Sequence, residues 1–183
     1  GRKATPKKTS AVWGKETNVT KEAPPPALGE WRTMAKGIAE AYHLDPLIVA
    51  AQIWTESDGN PWATRYEPDW RYFWKIGPLY DKTKSRDTNR RVALNLLGPT
   101  EFHLQSTGLG IMQVMGAVAR ERGMKDDLSQ LYAPAVGIRY GCLHLSILLK
   151  ASGGDVNKAV ERYNNSAVYL EKVMRRRAIL GGT

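Results

Sequence analysis

Two segments of the chain are apolar on nearly every side over helical length, residues 47–57 and residues 134–151. The first follows Asp45, a good N-cap residue, and Pro46, which is tolerated at a first helical position, so a helix is predicted up to Ser57. A helix without a wide polar face is stable only when neighbouring elements cover it. Both segments are therefore predicted to be buried, with residues 134–151 as the central helix.

Helical spacing of apolar residues recurs along the chain and predicts further helices. These are expected from Trp31, over residues 87–97, 100–106 and 111–118, after the N-cap residue Asp155, and over residues 168–180. Residues 58–84 lack that spacing, so they are predicted to be mostly loop, with any sheet small and within residues 62–84. The predicted fold class is mainly α (α+β), a single helical domain with a small β or loop region beside a cleft.

The length and charge of the chain bound its organisation. The 183 residues suit one domain with its own core. Residues 1–27 contain six basic residues, two acidic residues and three consecutive prolines, so they are predicted to be a flexible basic arm before a domain over residues 28–183. The net charge of +9 favours an anionic partner, such as a cell-wall polymer, nucleic acid or a membrane surface.

Several functional classes are disfavoured by the residues present. Cys142 is the single cysteine and lies in an apolar stretch, so it is predicted to be a buried thiol. His43, His103 and His144 lie on different predicted elements, and they form no catalytic or metal-binding pattern. We expect no membrane insertion, because the chain has neither a long apolar span nor an export leader. Nucleic-acid binding is not expected either, because no recognition motif is present.

The most informative polar residue is Glu56, near the end of the helix predicted up to Ser57. Gln52 lies one turn earlier, so the two side chains share one face of an otherwise apolar helix. Apolar neighbours such as Trp54, and the negative end of the helix dipole, both disfavour a charged carboxylate there. Because a general acid must retain its proton until it reacts, Glu56 is predicted to be a proton donor on a cleft wall.

Two later segments carry side chains that suit a carbohydrate beside such an acid. The predicted helical spacing puts Gln113 opposite the core-facing stripe, where it is free to face a ligand, with Met112 to one side. Tyr163 lies on the apolar face of its helix, so its hydroxyl needs a partner in the core. On spacing alone Met112 and Tyr163 are core residues, and Ser57 is more often a turn former than a ligand.

Three short motifs occur along the chain: Glu56-Ser57 with Asn60-Pro61-x-Ala63, then Gly110-Ile111-Met112-Gln113, then Tyr163-Asn164. In this order they resemble the Glu-Ser, Gly-Leu-Met-Gln and Ala-Tyr-Asn-x-Gly motifs of the soluble lytic transglycosylase domain of the lysozyme superfamily, in particular its bacteriophage versions. The resemblance covers residues 29–180. Arg162 and Ser166 replace the usual Ala and Gly of the third motif, and the segment between the first two motifs is long.

The resemblance implies a lysozyme-like fold and cleavage of the β-1,4 bond between N-acetylmuramic acid and N-acetylglucosamine in peptidoglycan. Glu56 would protonate the glycosidic oxygen and then act as base toward the muramyl C6 hydroxyl, which leaves a 1,6-anhydro sugar. By the same resemblance, the substrate-binding residues are Ser57, Gly110, Met112, Gln113, Tyr163 and Asn164. No metal or organic cofactor is implied.

The resemblance also implies where the protein acts and what it meets. Its partners would be peptidoglycan glycan strands at the bacterial cell wall, on the periplasmic side. The protein would be associated with a phage virion, encoded by a phage, or a bacterial envelope enzyme. The basic arm is interpreted first as a linker, with attachment to other virion or envelope proteins as an alternative.

Two other functions stay open at the level of the sequence. A muramidase, which hydrolyses the same bond, usually needs a second carboxylate. The candidates are Asp58, Glu67, Asp69 and Glu101, and the sequence places none of them across the cleft. A noncatalytic glycan-binding or virion structural module that retained the cleft is the third reading.

Overall fold

The computed structural model describes residues 22–76 and 81–181. Over these ranges, eight α-helices and a 3₁₀ helix accompany a three-stranded sheet. In chain order the elements are α1 (Pro26–Ala41), α2 (Pro46–Ser57), β1 (Thr64–Tyr66), α3 (Arg86–Leu97), α4 (Pro99–Gln105), β2 (Thr107–Leu109), β3 (Val114–Met115), α5 (Gly116–Glu121), the 3₁₀ helix (Leu128–Tyr132), α6 (Pro134–Ala151), α7 (Val156–Asn164) and α8 (Ala167–Gly181). The predicted fold class, mainly α with a small β region, is confirmed.

The predicted N-terminal arm falls mostly outside the described residues, since residues 1–21 are not among them. The attachment to other virion or envelope proteins predicted for this arm therefore also concerns residues outside the described ranges. Helix α1 begins at Pro26, two residues before the predicted domain boundary and five before Trp31. No helix in the described part of the chain is long and apolar enough to cross a bilayer.

Helix α2 is buried along its length, as its sequence predicts. The Asp45 carboxylate accepts a hydrogen bond from the backbone N–H of Leu47 at 2.8 Å, and Pro46 occupies the first turn. Every residue from Ile48 to Trp54 is buried, and helices α1 and α8 pack against α2. The helix that ends in Glu56 and Ser57 is thus fixed from several sides.

Helix α6 is the predicted central helix, and two of its glycines allow close contacts. A Cβ atom at Gly137 would lie 2.7 Å from the carbonyl oxygen of Leu131, and one at Gly141 would lie 2.4 Å from Sδ of Met112. The close contacts are with the 3₁₀ helix, through Leu131, and with the turn between β2 and β3, through Met112.

The prediction of a helix over residues 111–118 is wrong. Residues 110–113 form a turn between β2 and β3, and α5 begins only at Gly116. Gly110 and Gln113 have φ angles of 73° and 48°, which are left-handed and incompatible with a continuous α-helix. The turn and the strand are both buried, so apolar residues occur throughout this stretch. Their spacing therefore indicates buried positions and does not indicate a helix.

The sheet also extends beyond the predicted range of residues 62–84. The strand order is β1-β2-β3, and both pairs are antiparallel. Thr64 of β1 lies opposite Leu109 of β2, and Leu109 lies opposite Val114 of β3. Only β1 falls where a strand was expected, because the two other strands lie later in the chain, on either side of the turn at residues 110–113.

The long segment between the first two motifs builds a small core of its own. Helices α3 and α4 follow the predicted ranges and are separated at Gly98, as expected. Phe73 stacks on Phe102 with ring centroids 4.9 Å apart, and Arg90 lies over the Phe102 ring. Ile76 completes the apolar contacts. This cluster is separate from the main core, so the segment covers its own apolar residues.

We predict that Gly141→Ala destabilises the protein by about 1–3 kcal/mol, because the added methyl group overlaps the Met112 side chain. Gly37→Ala is the matched control, since Gly37 lies in α1 and a methyl group added there would have no atom within 4 Å. That change is expected to stabilise the protein by about 0.5–1 kcal/mol through helix propensity. Urea unfolding of both variants measures the effects, and equal free energies of unfolding would contradict the packing account.

Candidate active site

The three sequence motifs meet at the turn formed by residues 110–113. The Ser57 hydroxyl, at the end of α2, donates a hydrogen bond to the carbonyl oxygen of Ile111 at 2.8 Å. The Tyr163 hydroxyl, at the end of α7, donates to the carbonyl oxygen of Met112 at 3.0 Å. Two hydroxyl groups from distant parts of the chain therefore hold successive carbonyl groups of one turn.

Glu56 lies on the wall of a cleft of about 500 Å³, in the last turn of α2. The residue as a whole is partly buried, but its Oε1 atom is fully buried and has no hydrogen-bond partner among the described residues. An oxygen placed in this way is poorly solvated. The position agrees with the predicted location of Glu56 on a cleft wall.

Burial raises the pKa of Glu56 to about 7, against an ordinary value of 4.5. The hydroxyl of Tyr169, the positive charge of Arg65 and the side chain of Asn164 all act in the opposite direction, but they do not offset the burial. The carboxyl group is therefore about half protonated near neutral pH. A carboxyl with this pKa can donate a proton and later accept one.

Tyr169 belongs to the site although none of the three sequence motifs contains it. It is buried on α8, and its hydroxyl accepts a hydrogen bond from Nε2 of Gln52 at 3.2 Å. Burial raises the pKa of this hydroxyl well above its usual value, so it stays protonated beside Glu56. The available signal was the apolar stripe of α8, in which Tyr169 and Val173 are both buried.

Three of the predicted site residues line the same cleft as Glu56, namely Gln113, Tyr163 and Asn164. The Gln113 amide donates hydrogen bonds to the carbonyl oxygens of Ala63 and Gly110, at 2.8 and 2.9 Å. These bonds fix Gln113, whose φ angle is left-handed, against Gly110 in the same turn and against Ala63 in the segment before β1. Asn164 is exposed at the end of α7.

The other three predicted site residues lie behind the cleft wall. Met112 is completely buried under Gly141, so the expectation that its side chain lines a sugar subsite does not fit this structure. A Cβ atom at Gly110 would lie 2.1 Å from the carbonyl oxygen of Leu131, so this position requires glycine for packing as well as for its φ angle. The hydroxyl of Ser57 is engaged with backbone groups.

One of the four candidate second carboxylates shares the cleft. Glu67 lines it together with Arg65, and the two side chains form a salt bridge at 2.7 Å. Asp58 and Asp69 are exposed and do not line the cleft. Each of them forms a salt bridge with an arginine. Glu101 forms a two-point ion pair with an arginine of α5 and lines other cavities.

The Transglycosylase SLT domain family matches the chain over residues 33–181. The chain belongs to this family. No curated protein and no solved structure matches it. Family membership indicates a transglycosylase of the lytic type, a lyase that degrades peptidoglycan, and therefore action on the cell wall. The architecture described above is thus that of a lysozyme-like SLT domain.

Two departures from the family motif have structural consequences in this SLT domain. Ser166, where the family has Gly, follows the left-handed Asn165 and accepts a hydrogen bond from the backbone N–H of Tyr169 at 3.3 Å. It therefore caps the first turn of α8. Arg162, where the family has Ala, lines the cleft and donates to Ser152 Oγ at 3.3 Å.

His144 lies beside Tyr163, lines the cleft and is uncharged. Burial and then the charge of Arg122 lower the pKa of His144 to about 4. Its ring centroid lies 5.2 Å from that of Tyr163, and Arg122 approaches its Nδ1 at 3.2 Å. Nowhere in residues 22–76 and 81–181 do three or more His, Cys, Asp or Glu side chains form a group that could hold a metal ion.

A buried arginine fixes the end of the helix that carries Glu56. Arg176 of α8 donates a hydrogen bond to the carbonyl oxygen of Trp54 at 2.7 Å, and its guanidinium lies 4.5 Å from the centroid of the Trp54 ring. Its Nε donates to Glu22 at 2.7 Å. Arg176 thus places a cation at the C-terminal end of α2, where it binds a carbonyl group.

We predict that Glu56→Gln stabilises the protein at high pH. The pKa of Glu56 is higher in the folded state than in the unfolded chain, so the native state loses stability as pH rises from about 4.5 through about 7. The difference approaches about 3 kcal/mol above pH 8, since each unit of pKa corresponds to about 1.4 kcal/mol. Glutamine has no charge to bury, and the variant lacks this loss.

The measurement is urea unfolding of both proteins between pH 4 and pH 9. Subtracting the two curves removes the contribution of all other titrating groups. A difference in the free energy of unfolding that does not change with pH would show that the Glu56 carboxyl is solvated in the folded protein.

We also predict that Arg176→Lys lowers the free energy of unfolding by about 1–3 kcal/mol. The planar guanidinium of Arg176 donates to both the Trp54 carbonyl and Glu22, and the single ammonium group of a lysine cannot replace both bonds. Arg175→Lys is the control, since the Arg175 side chain is 56% exposed and binds only Glu22 among the described residues. Its expected effect is below about 0.5 kcal/mol. Equal losses in the two variants would contradict a special role for Arg176.

Proposed function

We propose that Glu56 is the single acid and base of a lytic transglycosylase that cleaves the β-1,4 bond between N-acetylmuramic acid and N-acetylglucosamine. The observation that carries the proposal is the burial of Glu56 Oε1 on the cleft wall, which raises the pKa of the carboxyl group to about 7. A group with this pKa is present in both protonation states under physiological conditions, as an acid that later acts as base requires.

In the first step, the protonated Glu56 donates its proton to the glycosidic oxygen, and the bond from that oxygen to C1 of the muramyl residue breaks. In the second step, the Glu56 carboxylate accepts the proton of the muramyl C6 hydroxyl while the C6 oxygen forms a bond to C1. The product carries a 1,6-anhydro ring, no water is consumed, and Glu56 is protonated again.

The surrounding side chains are proposed to position this chemistry. Gln113 and Asn164 line the cleft with amide groups, which suit the hydroxyl and acetamido groups of the sugars. The hydroxyl of Tyr169, beside Glu56, stabilises the carboxylate that exists between the two steps. Tyr163 lines the cleft and holds the turn through its hydroxyl group, whereas Ser57 and Gly110 support the turn from behind the cleft wall.

Hydrolysis is the second candidate, and the position of Glu67 favours it. This carboxylate lines the same cleft as Glu56, where it could activate or orient water. The Glu67 carboxylate forms a salt bridge with Arg65, so it is already paired with a positive charge before a substrate binds. We rank hydrolysis second because the family is one of transglycosylases.

The bacteriophage-type subtype and a location in a virion are proposed from the motifs alone. Both rest on the resemblance of the three motifs to bacteriophage versions of the domain. Mass spectrometry of purified phage particles tests this assignment. Detection of the chain in particles would support it, and detection only in uninfected bacterial envelopes would contradict it.

We predict that Glu56→Gln lowers the turnover of purified peptidoglycan roughly a hundredfold or more, because the amide cannot donate the required proton. Glu40→Gln is the control, since Glu40 is an exposed residue of α1 outside the cleft, and full activity is expected. Release of soluble muropeptides measures turnover. Wild-type activity in Glu56→Gln would remove Glu56 from the mechanism.

Mass spectrometry of the wild-type products separates the three functions. Products with 1,6-anhydro ends support the transglycosylase, and products with reducing ends support a muramidase. If the products have reducing ends, Glu67→Gln should abolish activity. If they have 1,6-anhydro ends, Glu67→Gln should retain most of the activity. Binding of peptidoglycan without any soluble product would identify a noncatalytic glycan-binding module.

A further inference from the structure

A second concavity lies beside the segment that joins α2 to β1. We call it the Trp62 groove, and it is lined by Ala27, Trp31, Pro61, Trp62, Tyr132 and Pro134. Its volume is about 860 Å³, larger than that of the cleft with Glu56. Trp62 is 71% exposed, although an indole ring of this size is usually covered. An exposed ring beside further apolar side chains in a concavity is typical of a binding surface.

The aromatic rings of the groove are held in place before any ligand arrives. The centroids of Trp62 and Tyr132 lie 5.8 Å apart with an angle of 32° between their planes. The hydroxyl groups of Tyr132 and Thr64 are hydrogen-bonded at 2.8 Å, which fixes the tyrosine ring. The backbone N–H of Trp62 donates to Asn60 Oδ1 at 2.9 Å. Little side-chain entropy would therefore be lost on binding.

The charge of the groove restricts its ligand. The protein carries a net charge of +9, yet no lysine or arginine is among the described residues that line the groove. The polar groups at its rim are the amides of Asn60 and Gln130, the hydroxyl of Ser129 and one carboxylate, Glu30. Phosphate-bearing ligands, which need cations, do not suit this surface. A neutral ligand with an apolar face and many hydroxyl or amide groups does.

The groove and the cleft are joined by one short stretch of chain. Asn60, Pro61 and Trp62 line the groove, whereas Arg65 and Glu67 line the cleft. Trp62 and Arg65 are three residues apart, so their Cα atoms are separated by at most about 11 Å. The carbonyl group of Ala63, between them, is fixed by the Gln113 side chain at the cleft wall. The two concavities are thus neighbours along the chain, on either side of the start of β1.

We propose that the Trp62 groove binds a pyranose ring of a β-1,4-linked N-acetylhexosamine strand, at a distance from the bond that is cleaved. The C–H face of the sugar would stack on Trp62, and its hydroxyl and acetamido groups would meet the polar rim. The groove therefore lengthens the binding surface and favours long strands over short fragments. This inference rests on the proposed function of the cleft, because it assumes that the same strand enters both.

The experiment uses the full chain with Glu56→Gln, so that bound glycans are not cleaved. Isothermal titration calorimetry measures the affinity for a disaccharide and for a hexasaccharide of β-1,4-linked N-acetylglucosamine. Trp62→Ala and Trp62→Phe are compared in this background, and thermal unfolding verifies that each variant is folded. Tyr72→Ala is the matched control, since Tyr72 is another exposed aromatic residue and lines neither the groove nor the cleft.

Trp62→Ala is expected to weaken binding of the hexasaccharide roughly tenfold, which corresponds to about 1.4 kcal/mol, and to leave binding of the disaccharide unchanged. Trp62→Phe should retain most of the affinity, and Tyr72→Ala all of it. Equal affinity of Trp62→Ala and its parent for the hexasaccharide would overturn the proposal. So would an equal loss for both ligands, because Trp62 would then shape the cleft.

Two further results separate failure of the groove from failure of the cleft. Sedimentation that shows a dimer lost in Trp62→Ala would assign the groove to a second copy of the chain and overturn the glycan proposal. If the wild-type protein releases no product from peptidoglycan and binds no oligosaccharide, the proposed function fails along with the groove. If it releases product while Trp62→Ala binds long oligosaccharides normally, only the groove fails.

Discussion

The burial of one carboxyl group is the constraint on which the site depends. Holding Glu56 away from water favours its protonated form, and this destabilises the fold whenever the group ionises. The surrounding structure tolerates the cost because α2 is enclosed along its length and Arg176 fixes the Trp54 carbonyl group near its end. The stability of the enclosed helix thus allows an acid that would otherwise be solvated to keep its proton.

The three motifs act together because they share one turn. Ser57 and Tyr163 donate to neighbouring carbonyl groups of residues 110–113, and Gln113 ties that turn to the start of the sheet. The residues of the three motifs therefore have two different roles. Some line the cleft, whereas others, including Met112 and Gly110, pack behind it and set its shape.

The sequence predicted the elements whose signals are local. The cap at Asp45, the break at Gly98 and the apolar bodies of α2 and α6 each depend on nearby residues, and the structure has these helices where they were expected. The turn at residues 110–113 was missed, because its buried residues happen to recur at helical spacing. Tyr169 and Arg176 were missed because their partners lie more than 100 residues away, as the separations of 117 and 122 positions show.

A direct titration of the Glu56 carboxyl group measures whether burial keeps it protonated near neutral pH. The chemical shift of its side-chain carboxyl carbon can be followed by ¹³C NMR in selectively labelled protein, with Glu56→Gln used to assign the signal. A midpoint at about pH 7 is expected, because the group is buried. A midpoint near the ordinary value of 4.5 would show that the carboxyl group is solvated and charged at neutral pH, and it would contradict the role of Glu56 as the acid.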